Sequence, residues 1–90
     1  MEFEWDSQKA KHNLTKHRVT FQEAASVFGD AMAITFDDPD HSVVEIRYIT
    51  FGLSKFKRLL VVSHTERVGR MRLVSARLIE SKERKIYEEG

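Results

Sequence analysis

Ninety residues with four glycines, one proline and no cysteine predict one small domain over 1–90, with a modest core and little chain left for linkers. The lack of cysteine excludes a disulfide framework and a thiolate metal site, and suits a reducing, cytoplasmic setting. The net charge of +1 excludes a strongly basic or acidic chain but hides an asymmetry. Residues 1–45 hold four Lys/Arg and nine Asp/Glu, a sum of −5; residues 46–90 hold eleven and five, a sum of +6. Either the C-terminal half builds a basic surface, or the two halves attract each other across the fold. No apolar run is long enough for a membrane-crossing helix, and the acidic start MEFEWD does not read as a secretory signal.

Taken in order, Phe3 and Trp5 alternate with acidic residues and predict a short strand over 2–5. Asp6 can cap a helix over 7–17 with a weak apolar stripe of Ala10, Leu14 and His17. Thr20 followed by Glu23 is a capping box, with Val19 and Ala24 as its hydrophobic staple. Phe21, Ala24, Ala25 and Phe28 then fall on one buried helix face, and Gly29 ends it. From there the period changes to two, with Met32, Ile34 and Phe36 alternating with smaller residues. DDPD at 37–40 is a turn. Strands are predicted over 43–52, 58–66 and 70–77, the last two joined at Val68-Gly69. The tail SKERKIYEE predicts a helix capped by Ser81. The fold class is therefore α+β, in the order β-α-α-β-β-β-β-α. Tight links make the later strands antiparallel, and two N-terminal helices can cover only one sheet face.

Five arginines, Arg58, Arg67, Arg70, Arg72 and Arg77, crowd the stretch 58–77. Planar guanidinium groups suit phosphate or planar partners. With a two-residue turn, Ser63, Thr65, Arg67, Arg70, Arg72, Val74 and Ala76 share one face. Leu60, Val62, His64, Met71, Leu73, Ser75 and Arg77 share the other. A bulge would return Arg77 to the first. Asp37, Asp38, Asp40 and His41 form the only dense set of metal-ligand residue types, and a turn explains them. No metal-site motif or phosphate-binding glycine loop is present.

FEWD at 3–6, NLTKH at 13–17, VTFQEA at 19–24, VFGD at 27–30, HTER at 64–67, RLVSAR at 72–77 and ERKIYEEG at 83–90 closely resemble the BrnT family, along essentially the whole chain. These are toxins of bacterial type II toxin–antitoxin systems, related in fold to the RelE toxins. One departure is Arg18, where the family usually carries Gly after the KH; a left-handed residue there costs roughly 1 kcal/mol without Gly. The resemblance implies a RelE-like antiparallel sheet with two N-terminal helices on one face and a short C-terminal helix. It implies a metal-independent endoribonuclease, with no cofactor, that inhibits translation. A BrnA-type antitoxin would neutralise it in a heterotetramer formed through the antitoxin dimer. Operator DNA would be reached only through that antitoxin.

RNA supplies its own nucleophile, the 2′-OH, so a nuclease needs a proton carrier and cations for the phosphorane. Arg67 and Arg77 are the phosphate-clamp candidates on the resemblance. His64 and then His17 are the proton carriers, with Tyr87 as a third candidate. Arg72, Arg70, Arg47 and Lys16 are RNA-binding candidates. Each has a plain structural rival: His64 as a bonded core-edge residue, His17 at its helix end, Tyr87 as a packing residue, Arg72 as a solvated one. A non-catalytic basic binding module and an inactive toxin acting in operon regulation stand as alternative functions.

Overall fold

A computed structural model describes residues 1–41 and 45–90. Strand β1 (Phe3–Glu4) leads into helices α1 (Ser7–His17) and α2 (Phe21–Ser26), the latter extended by a 3-10 turn over Val27–Gly29. Strands β2 (Ile34–Asp37), β3 (Arg47–Leu53), β4 (Leu59–Arg67) and β5 (Arg70–Leu78) follow, and α3 (Arg84–Glu89) closes the chain. The sheet order is β1-β5-β4-β3-β2. Three pairings are antiparallel, as short connections require. The antiparallel sheet expected from the tight links holds for the later strands, while at one edge β1 runs parallel to β5. No tight turn links β1 to β5, so nothing local fixes their relative direction. The predicted strand residues Val43 and Val44 lie outside the described residues.

Local chemistry explains most boundaries. The Asp6 carboxylate accepts the Lys9 N–H at 3.0 Å, and Thr20 Oγ1 accepts that of Glu23 at 3.0 Å. Only this half of the Thr20–Glu23 capping box forms, because the Glu23 carboxylate turns inward to Arg58 and Ser54. Arg18 ends α1 in the left-handed region (φ 60°) and returns its N–H to the Leu14 carbonyl. The tail cap is Glu80 with Glu83 rather than Ser81, through a reciprocal capping box. At the β4–β5 turn both Val68 (φ 50°) and Gly69 (φ 78°) are left-handed, the geometry that matches strand twist.

Val19, Phe21, Ala24 and Val27 pack against Leu60, Val62, Leu73 and Ala76 to form the core. The predicted α1 stripe is corrected: Leu14 is exposed and Asn13 is buried. β1 is too short to pair Ala76, so the Asn13 amide does so. Its Nδ2 donates to the carbonyls of Ala76 and Val19, both at 2.9 Å, and its Oδ1 accepts the Ala76 N–H at 3.0 Å. Gly52 is set by close approach: a Cβ there would meet Val27 Cγ1 at 2.5 Å. Gly52→Ala is expected to destabilise the fold by about 1–3 kcal/mol, read as a lower urea midpoint with an unchanged slope.

Candidate active site

The register of β4 and β5 shifts between Ser63 and His64, where Ser63 faces Ser75 and His64 faces Leu73. Val74 is the extra residue of a bulge. It corrects the simple alternation: Ala76 turns into the core, while Ser75 and Arg77 join the face of Arg67, Arg70 and Arg72. Arg47 lies opposite Thr65, which also faces Arg72, so it shares that side. Three predicted RNA-binding residues, Arg47, Arg70 and Arg72, thus gather at the hairpin end with the predicted clamp Arg67.

That end is not a bare cationic surface. Arg67 reaches Glu45 at 3.2 Å, Arg70 reaches Glu2 at 3.2 Å, and Arg72 reaches Glu4 at 2.8 Å. Farther along, Arg58 holds buried Glu23. Every carboxylate here belongs to the acidic half of the sequence and every one of these arginines to the basic half. Between the two readings of the charge asymmetry, intramolecular pairing is what the structure displays. Hydrogen bonds from Arg67 hold the Glu45 carboxyl below its usual pKa.

Arg77 lies elsewhere. It faces Val61, six residues along β4 from Arg67, a separation of about 20 Å at the usual rise per residue. The two predicted clamps therefore stand at different ends of the β4–β5 hairpin. Arg77 instead lies at the edge where α1 is tied to β5 by Asn13 on the Ala76 backbone, and its charge acts on His17, which with Lys16 occupies the last turn of α1. Its two terminal nitrogens donate to Glu83 at 2.9 Å each, and Nη1 also donates to the Leu78 carbonyl at 3.2 Å. A guanidinium has five N–H donors, so among the described residues two are left for a ligand. These bonds from Arg77 pull the Glu83 carboxyl down to about 2. Burial lowers the His17 pKa, and Lys16, Arg77 and His12 lower it further. An imidazole whose protonation is disfavoured thus lies within electrostatic reach of an oriented guanidinium.

His64 and Tyr87 are not brought to this corner. His64 lies on the helix-covered side of the sheet, across from the arginines. Its Nε2 is 2.7 Å from Thr50 Oγ1, its ring stacks on Tyr48 and meets Phe28 edge-on, and burial lowers its pKa to about 4. It also lines a cavity of about 410 Å³ with Tyr48, Phe28 and Met71. Tyr87 donates to Asp30 Oδ2 at 2.7 Å, which raises its pKa and anchors α3. Burial pushes the Asp30 carboxyl up, but N–H groups of Leu53 and Met32, together with Tyr87, bring it below its usual value. Two residues escaped the sequence reading: Glu83, which orients Arg77, and Asn13, which joins α1 to β5. The spacing of Glu80 and Glu83 before the helical tail was the available signal for the first.

A small α+β domain with paired arginines on one side of its sheet and a His–Arg corner at the end of α1 is the class of protein that fold and site define. A family model described as the ribonuclease toxin, BrnT, of type II toxin–antitoxin systems matches residues 5–83. The chain belongs to the BrnT family. Its fold is similar to that of the Brucella abortus ribonuclease toxin BrnT, seen in a 1.1 Å crystal structure, with a TM-score of 0.70 and 18% identity. That likeness covers 90% of this chain and 99% of the other. No curated protein sequence matches. Among the described residues, no helix is long and apolar enough to cross a membrane.

Proposed function

We propose that this BrnT-family chain is an endoribonuclease that cuts RNA through its own 2′-OH without a metal ion, with His17 and Arg77 at the centre. The observation that carries this reading is a guanidinium clasped by Glu83 on β5, beside the residue through which Asn13 ties down α1, the helix that ends in His17 with its depressed pKa. His17 accepts the 2′-OH proton as O2′ attacks phosphorus. The P–O5′ bond then breaks, leaving a 2′,3′-cyclic phosphate and a 5′-OH that takes its proton from solvent. The free N–H groups of Arg77 stabilise the charge that builds on the phosphorane, where a preorganised donor acts most strongly. Lys16 adds charge nearby. Arg67, Arg70, Arg72 and Arg47 hold the RNA backbone away from the cut. His64 and Tyr87 keep structural roles.

On this reading the protein is a RelE-like cytoplasmic toxin of one 90-residue domain that stops translation by destroying RNA. A BrnA-type antitoxin neutralises it in a heterotetramer built on an antitoxin dimer, and operator DNA is reached only through that antitoxin. An acidic antitoxin segment folding across the same corner would block RNA by competition.

The test is cleavage of end-labelled RNA in EDTA as a function of pH. His17 is depressed below its ordinary 6.5, so its base form persists to lower pH than that of a free histidine. The rate should hold steady around neutrality and fall on the acid side with a midpoint below 6.5. His17→Ala should lose roughly 10²–10⁴-fold in rate, together with that acid limb. Activity restored only by added Mg²⁺, or an acid limb unchanged in the variant, would refute the assignment.

A further inference from the structure

We infer that the exposed face of α1, marked by Lys9, His12 and Lys16, is the track along which the RNA backbone reaches the His17–Arg77 corner. This rests on the ribonuclease reading and adds to it where the substrate lies. The hairpin arginines are the most prominent cations of the sequence, yet they are matched by Glu2, Glu4 and Glu45. From Asp6 to Arg18 the chain holds three lysines and one arginine against one carboxylate, a sum of +3 before any histidine is counted. That carboxylate, Asp6, is engaged as the helix cap with the backbone N–H of Lys9. Among the described residues, no ion pair involves Lys9, Lys11 or Lys16.

Spacing turns this excess into a surface. Lys9, His12 and Lys16 stand at i, i+3 and i+7, so they share one side of the helix over a length of about 10 Å. All three are exposed, while Asn13 is buried and Ala10 and His17 are half-buried against the sheet. Lys11 projects from the other flank, beside Leu14. The stripe also runs to the corner: it ends at Lys16, which precedes His17 in the last turn of α1. Its exposed companions, Gln8 and Thr15, are polar. A protein partner would need apolar anchors at the centre of its footprint, whereas a phosphate backbone needs only spaced cations. RNA is the occupant that this surface fits.

The experiment measures binding apart from chemistry. The full chain is titrated against a fluorescent 2′-O-methyl RNA, which lacks the nucleophile and cannot be cut, across a range of salt. Lys9→Ala with Lys16→Ala should weaken binding about tenfold or more at low salt. The slope of log K against log[salt] should flatten by roughly 0.7 for each phosphate no longer neutralised, about 1.4 for the pair. Lys11→Ala, with the same charge change on the other flank, should leave the slope unaltered. Alanine at exposed helix positions preserves α1, and Lys→Gln versions guard against a folding artefact. Wild-type affinity and slope in the double variant, or an equal weakening in Lys11→Ala, overturns the inference. So does a stripe whose removal weakens only the antitoxin. If binding depends on the stripe but natural RNA stays intact, the stripe stands and the proposed chemistry fails.

Discussion

Arg77→Ala is expected to slow RNA cleavage by about 10²–10³-fold at saturating RNA, the usual cost of removing one preorganised transition-state donor. The guanidinium is fixed by three donated hydrogen bonds, two to Glu83 and one to the Leu78 carbonyl, so little reorganisation is needed as charge builds on phosphorus. A structural effect must be separated from a chemical one, because the same bonds tie the tail to β5. Glu83→Gln breaks that ion pair but keeps the guanidinium. The two variants should melt alike, and cleavage lost in Arg77→Ala beyond that lost in Glu83→Gln belongs to the cation. Arg77→Lys keeps the charge without the fork and should recover only part of the rate. Glu83 is held near 2 against an ordinary 4.5. The clasp is therefore complete above about pH 4.5 and is lost only as pH falls toward 2.

The second large effect concerns stability. Arg58→Ala should destabilise the protein by roughly 3 kcal/mol, the low end of the range for breaking a buried pair, since the Arg58 side chain keeps a third of its surface exposed while Glu23 keeps 3%. Arg58 donates through Nε at 2.9 Å and through Nη2 to the Glu23 carboxylate, and Nη2 also reaches the Arg18 carbonyl at 3.0 Å. Ser54 Oγ adds a bond to the same carboxylate at 2.6 Å. Removing the cation leaves a buried carboxylate with only Ser54. The Arg58 hydrogen bond lowers the Glu23 pKa, with burial opposing it. The stabilisation is thus present above the ordinary carboxylate pKa and fades as pH falls through the lowered one. Urea melts of Arg58→Ala and wild type at neutral and acid pH should converge in acid. A constant difference would place the effect elsewhere.

Elements whose signals are local were legible in the sequence. Asp6 and Thr20 cap their helices, Phe21 and Ala24 enter the core, and the Val68-Gly69 turn pairs Arg67 with Arg70. Signals that depend on distant partners were not. The parallel setting of β1 on β5 joins the two ends of the chain. The bulge at Val74 has no compositional mark, yet it alone decides that Arg77 shares a face with Arg72. Glu23 reads as half of a capping box until Arg58, thirty-five residues away, takes its carboxylate. The candidate site shows the same division. Arg77, His17 and Lys16 were visible as residue types, but their meeting depends on α1 lying across β5 through Asn13. The hairpin arginines were equally visible, but sequence order hides the glutamates that pair with them.

The most direct measurement is cleavage of one naked, end-labelled RNA in EDTA by wild type, His17→Ala and Arg77→Ala, each first checked for its fold. The expected result is that wild type leaves 2′,3′-cyclic phosphate ends while both variants lose cleavage by about two orders of magnitude or more. Two folded variants that cut at the wild-type rate would contradict it, and would move the chemistry away from the corner between α1 and β5.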